Sequence, residues 1–166
     1  MPDQQKYIAK LRNATILIIG GSSGIGYGVA EASVEHGATV IISSSSKSRV
    51  SSAVQRLQSA YPSRAASIRG YACDLGDTKT IDANVAKLFE TVGTLDHIVY
   101  TAGDAVAALP LQEVTAVKFQ KAGVVRFLGV MLVAKQALTH LNPGPKSSFT
   151  ITTGSSAEKP HPRWSV

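Results

Sequence analysis

The stretch Ala14-Thr15-Ile16-Leu17-Ile18-Ile19-Gly20-Gly21-Ser22-Ser23-Gly24-Ile25-Gly26 decides the fold. Its first six residues are an almost unbroken apolar, β-branched run, the pattern of a strand covered on both faces. The run stops at Gly20, and the next segment, 24–36, has helical character and ends at Gly37, a suitable residue just past a helix. A strand, a glycine-rich turn and a helix in that order form an anion-binding device. Gly20 permits the sharp turn, Gly24 lets the backbone approach a pyrophosphate, and Gly26 lets the helix pack closely on the strand. The helix N-terminus then offers free N–H groups and a partial positive charge to phosphate. Ser22, Ser23 and Ile25 complete the loop. The Walker pattern is absent, because Gly26 is followed by Tyr27-Gly28, which disfavours an ATPase.

The alternation continues outward from this unit. Strands are expected at 14–19, 38–42, 66–72, 95–100 and 149–153. Val50, Val54, Leu57 and Tyr61 recur at helical spacing before Pro62, and Ile81, Val85, Leu88 and Val92 do so before Gly93. Residues 111–141 are expected to form one long helix, stopped by Asn142-Pro143-Gly144. The order βαβαβαβαβ predicts a Rossmann-like, doubly wound α/β fold: a parallel sheet of five strands with helices on both faces, in one nucleotide-binding domain spanning 1–166.

Composition excludes several classes. The chain has 166 residues, 44% of them hydrophobic and 17% charged, enough for a core and unlike a disordered protein. A lone cysteine, Cys73, excludes an intrachain disulfide. The four histidines lack zinc spacing, so no metal site is expected. No stretch approaches roughly 18 consecutive apolar residues, and the N-terminus lacks a signal-like apolar core, so a cytoplasmic protein without membrane contact is expected. The net charge of +6 favours anionic partners. The basic residues are scattered with few interleaved aromatics, which argues against nucleic acid and for a phosphorylated small molecule.

Together these motifs resemble the short-chain dehydrogenase/reductase family. Ile19-Gly20-xxx-Gly24-Ile25-Gly26 matches its TGxxxGxG loop in all but the first position. Cys73-Asp74-Leu75 stands where the family places an aspartate near adenine, Thr101-Ala102-Gly103 where it has NNAG, and Leu95-Asp96-His97-Ile98-Val99 resembles its LDxLV strand. The resemblance implies cofactor contacts at the glycine loop, Asp74, Leu75, Thr101, Ala102 and Gly103. Asp74 could equally cap a turn, and His97 is read as structural. NAD sites carry an acid at the end of the second strand, roughly twenty residues past the glycines. This chain has Ser43-Ser44-Ser45-Ser46-Lys47-Ser48-Arg49 there. Ser43, Ser44, Ser45, Lys47 and Arg49 would hold a 2′-phosphate, so NADP(H) is the expected cofactor.

The catalytic set departs from the family. None of the five tyrosines has Lys four residues on, and Val166 falls about where the family's Tyr-containing helix should begin, so the domain is expected to be incomplete relative to the family. The family's Ser aligns with Gly154, flanked by Thr153 and Ser155, and its Asn aligns with Arg126. A guanidinium in so apolar a stretch must reach solvent, pair with a carboxylate such as Asp104, or meet an anion or carbonyl. His161 and Trp164 are candidate pocket residues or parts of a solvent loop. Arg126 with a later Trp resembles a fungal subgroup whose scaffold binds NADPH and guides reduction or cyclisation of natural products. Three readings stay open: a reductase acting on a carbonyl or imine of a small secondary metabolite, a non-redox cyclase or isomerase with Arg126 and Trp164 in the pocket, or a catalytically silent NADP(H)-binding protein or fragment. The resemblance also implies a homo-oligomer joined through 111–141.

Overall fold

A computed structural model describes residues 10–104, 110–154 and 159. Strands β1 (Thr15–Ile19), β2 (Thr39–Ser44), β3 (Ile68–Ala72), β4 (His97–Tyr100) and β5 (Ser148–Ile151) form one parallel sheet in the order β3-β2-β1-β4-β5. Helices α1 (Gly24–Glu35), α2 (Lys47–Ala60), α3 (Ile81–Val92), α4 (Ala116–Gly123) and α5 (Gly129–His140) connect them. This is the expected Rossmann-like architecture.

The apolar run of β1 is explained by the two-residue period of a strand. Leu17 and Ile19 point to one face and pack with Ile98, Tyr100 and the α3 residues Val85 and Phe89. Ile16 and Ile18 point to the other and pack with Ala30 and Val34 of α1 and Ala53 and Leu57 of α2. Each such buried side chain stabilises the fold by about 1.5–3 kcal/mol. Chain order runs outward from β1 in both directions, so the crossovers diverge at the β1/β4 boundary and open a crevice at the strands' C-terminal ends.

Boundaries differ where local chemistry competes with periodicity. Gly37 and Gly93 take φ of 84° and 72°, as expected of residues ending helices. Pro62–Ser67 is a 3₁₀ turn, so β3 begins at Ile68 rather than 66. β5 ends at Ile151, two residues early, and β2 extends to Ser44. The single helix expected over 111–141 is corrected most. Leu111–Glu113 is a separate 3₁₀ turn. α4 starts only at Ala116, where the Thr115 hydroxyl accepts the Lys118 N–H at 3.3 Å. A π-helical turn, Val124–Leu128, then separates α4 from α5. The continuous run Ala116–His140 is 25 residues long and holds a window of mean hydropathy 1.4. By length and composition alone it is long and apolar enough to cross a membrane, though it is interrupted by Lys118, Lys121, Arg126 and Lys135. Val124, Val125 and Val133 turn into the core, while Phe127 and Leu138 are 72% and 85% exposed.

Candidate functional site

The glycine loop is built as the motif requires. Gly20 has φ of 92°, and a Cβ there would fall 2.6 Å from the Ala102 nitrogen. A Cβ on Gly26 would fall 2.5 Å from the Gly20 carbonyl oxygen, so α1 touches the turn directly. Gly24, with φ of 55°, faces open space. The N–H groups of Gly20 and Gly21 donate to the Ser43 carbonyl at 2.8 and 3.1 Å. The Thr101 hydroxyl donates to the Ile19 carbonyl at 3.1 Å, tying β4 to the same turn. Ser23 stands at the N-cap of α1 in extended conformation, yet its side chain makes no cap hydrogen bond. Among the described residues no side chain caps the first N–H groups of α1, which suits them to an anion.

These elements enclose a cavity of about 330 Å³. Gly20, Ser22, Ser23, Gly24, Ile25 and Gly26 line one side. Ser44, Ser45 and Arg49 line it at the end of β2, Asp74 and Leu75 after β3, and Thr101, Ala102 and Gly103 after β4. Two expected contacts lie elsewhere. Ser43 is fully buried, its hydroxyl has no hydrogen-bond partner among the described residues, and it serves the loop through its carbonyl. Lys47 is exposed in the first turn of α2 and does not line the cavity.

Charge in the cavity follows the same plan. The Arg49 guanidinium donates to the Ser45 hydroxyl at 2.7 Å, and the first turn of α2 holds no acid. Asp74 is exposed, and its Oδ1 accepts the Gly76 N–H at 2.9 Å, so the turn-capping reading describes one of its oxygens. Burial, with Asp74 alongside, pushes the Cys73 thiol up to about 11, which keeps it protonated and unreactive. His97 bonds the Ser148 hydroxyl at 2.9 Å across β4 and β5, a structural contact.

Sequence reasoning missed Arg56. From α2 it donates to the Ser22 carbonyl at 3.3 Å and lies 4.4 Å from the centre of the Tyr27 ring. It braces the loop from outside, and nothing in its local sequence marks it, because both partners are distant in the chain. Cys73, Gly76, Asp104 and Val125 also line the cavity without having been singled out as contacts.

Arg126 sits in the π turn and extends over Gly103, where a Cβ would fall 2.7 Å from one guanidinium nitrogen. It donates to the backbone carbonyl of Asp104, so of the alternatives left open by the sequence a carbonyl meets the guanidinium, and Asp104 serves through its backbone rather than its carboxylate. Among the described residues the one salt bridge is Lys118–Glu113. Thr153 is exposed beyond the end of β5 and does not line the cavity. Ser155, His161 and Trp164 lie outside the described residues.

With this geometry in hand, comparison with known proteins identifies the class. Residues 7–166 match the model of the SDR-like Rossmann domain, and the chain belongs to this family of short-chain dehydrogenases/reductases. The SDR Rossmann fold binds nicotinamide cofactors. The chain is 44% identical over 165 residues to the short-chain dehydrogenase/reductase fsr5 of Gibberella fujikuroi, covering 97% of this chain and 62% of that protein. It is 38% identical over 161 residues to the short-chain dehydrogenase/reductase malC of Malbranchea aurantiaca, covering 94% and 61%. The solved structure of the MalC reductase/Diels-Alderase superposes with a TM-score of 0.86 at 37% identity, covering 95% of this chain and 62% of that one. The chain thus spans less than two thirds of the length of these relatives.

Proposed function

We propose that this chain forms the NADP(H)-binding part of a short-chain reductase acting on a carbonyl or imine of a small secondary metabolite. The observation that carries the choice of cofactor is the end of β2. Ser44, Ser45 and Arg49 line the cavity with no acid in the first turn of α2. A carboxylate there would accept ribose hydroxyls and repel a 2′-phosphate, whereas hydroxyls and a guanidinium bind one through charge-assisted hydrogen bonds. The uncapped start of α1 suits the pyrophosphate, and the free Asp74 oxygen suits the adenine amino group. When bound, the cofactor supplies a hydride at its nicotinamide ring.

The chain's own part in the chemistry falls to Arg126. Its guanidinium lies over Gly103 at the strand ends and is held by a backbone carbonyl rather than neutralised by a carboxylate. It retains a full charge to orient a substrate carbonyl and stabilise negative charge developing on it. Thr153, with Ser155 and Trp164 outside the described residues, completes the proposed set of residues acting on substrate. A second reading, a cyclase on this scaffold, draws support from the reductase/Diels-Alderase described for MalC. In that reading Arg126 polarises an unsaturated substrate without hydride transfer. The proposal includes a cytoplasmic location and a second copy of the chain against the exposed apolar side of α4 and α5.

Calorimetric titration tests the cofactor. NADPH is expected to bind at least about tenfold tighter than NADH, one charge-assisted contact's worth, and Arg49→Ala to erase most of that difference. Equal affinities would overturn the NADP(H) assignment. Arg126→Ala is expected to abolish turnover while leaving NADPH affinity within a few fold. Substrate-dependent loss of 340 nm absorbance supports the reductase; product formed without it selects the cyclase.

A further inference from the structure

β4 ends on Tyr100, a 2% exposed side chain whose hydroxyl donates to the Val125 carbonyl at 2.5 Å. That carbonyl lies inside the π turn Val124–Leu128. In a regular α-helix it would accept the N–H four residues on, at Gly129. Here the Gly129 N–H reaches back one residue further, to the Val124 carbonyl. The Tyr100 hydroxyl therefore replaces the backbone donor that Val125 has lost. Space for it exists because residue 129 has no side chain: a Cβ there would fall 2.5 Å from the Tyr100 oxygen.

The consequence reaches the crevice. A π turn accommodates one more residue than an α turn, and one residue corresponds to about 100° of helix rotation. Arg126 lies within that turn, and its guanidinium ends against Gly103 and the Asp104 carbonyl, three and four residues past the end of β4 at Tyr100. An α-helical register through Val125 would aim residue 126 elsewhere.

We infer that Tyr100 is a positioning residue: its hydroxyl holds the π turn open and thereby directs Arg126 onto Gly103 and the Asp104 carbonyl at the edge of the crevice. The importance of that direction rests on the proposed role of Arg126 toward substrate. The device itself is independent of any ligand. Burial raises the phenol well above its ordinary range, so the donor stays protonated.

The test uses Tyr100→Phe, which deletes one oxygen and keeps the ring, on the full chain without ligand. Amide exchange across residues 124–130 is expected to rise about tenfold, the loss of one hydrogen bond, while β1 and α1 stay unchanged. In a sample with ¹⁵N-labelled arginine, the Arg126 Nε–H resonance is expected to shift, a signature that mere loosening of distant packing would not produce. Gly129→Ala is expected to lower Tm by crowding the hydroxyl. The double variant should recover most of that loss, because the new methyl then faces the ring at 3.6 Å from Cζ. An unchanged Arg126 resonance in Tyr100→Phe, or a Gly129→Ala penalty of the same size with and without the hydroxyl, would overturn the inference. Neither readout requires substrate. Failure here is thus separate from failure of the functional reading, which Arg126→Ala decides.

Discussion

Helices α1 and α2 both begin at the cavity, each behind a serine, and they treat that serine differently. Ser46 accepts the Arg49 N–H at 3.4 Å and caps its own helix. Ser23 makes no such bond, although it occupies the equivalent position before α1. An N-cap hydrogen bond stabilises a helix by about 1 kcal/mol, so an end left without one forgoes stability. The glycines explain why that end has another use. Gly24 faces open space beside it, and Gly20 and Gly26 press the turn against β4. One helix start is finished by its own side chain, and the other is available to an anion.

The strongest way to break this contrast is Ser23→Asp. An aspartate can cap α1 and places negative charge where the phosphates would dock. NADPH affinity is expected to fall about 100-fold, the scale of losing a charge-assisted contact and adding repulsion. Stability without ligand is expected to hold or rise, as measured by calorimetry and thermal melting. A variant that binds NADPH normally would remove α1 from the site.

A smaller effect comes from sorting the carboxylates in the same way. Asp74 commits one oxygen to the Gly76 N–H. Asp96 commits both: Oδ2 accepts the Thr15 N–H and Oδ1 the Asn142 side chain, each at 2.8 Å. The Thr15 backbone N–H first, then Asn142, hold the Asp96 carboxyl below its ordinary range. A group with a lowered folded-state pKa contributes stability above its unfolded value, about 3.9, and loses it as pH falls through the folded one. Melting temperature should therefore drop on acidification below about pH 4. Asp96→Asn should cost about 1 kcal/mol at neutral pH and flatten that acid limb. Cofactor affinity is expected to be unaffected, since Asp96 lies at the opposite end of β4 from the cavity.

The difference between the helix starts was half legible in the sequence. Continuous apolar strands and the glycine spacing place the loop, because those signals depend only on neighbours in the chain. The serines look alike in sequence, and only the backbone geometry around Gly24 separates them. The π turn was hidden for a related reason. Helical periodicity carries no mark of a carbonyl captured by Tyr100, 25 residues earlier. Arg126 could therefore be placed on its helix but not aimed, and the choice among solvent, a carboxylate and a carbonyl stays open in the sequence, whereas in the fold the Asp104 carbonyl accepts from it. Ser43 illustrates the reverse error. A hydroxyl beside the cavity suggests a ligand contact, while β2, buried on both faces, encloses it and leaves its carbonyl to hold the turn.

The smallest effect sharpens the contrast from the other side. Ser46→Ala removes the cap of α2 and leaves Ser45 and Arg49 in place. The bond is long at 3.4 Å, and Ser46 also meets the Ser48 hydroxyl at 2.9 Å, so part of the network survives only as solvent contacts. A loss of about 0.5 kcal/mol is expected, at the low end for such caps. NADPH affinity should change by less than the Arg49→Ala variant changes it, because the guanidinium is anchored through Ser45 rather than Ser46. If Ser46→Ala instead weakened NADPH binding without altering stability, the start of α2 would be a ligand contact like that of α1, and the two helices would share one role.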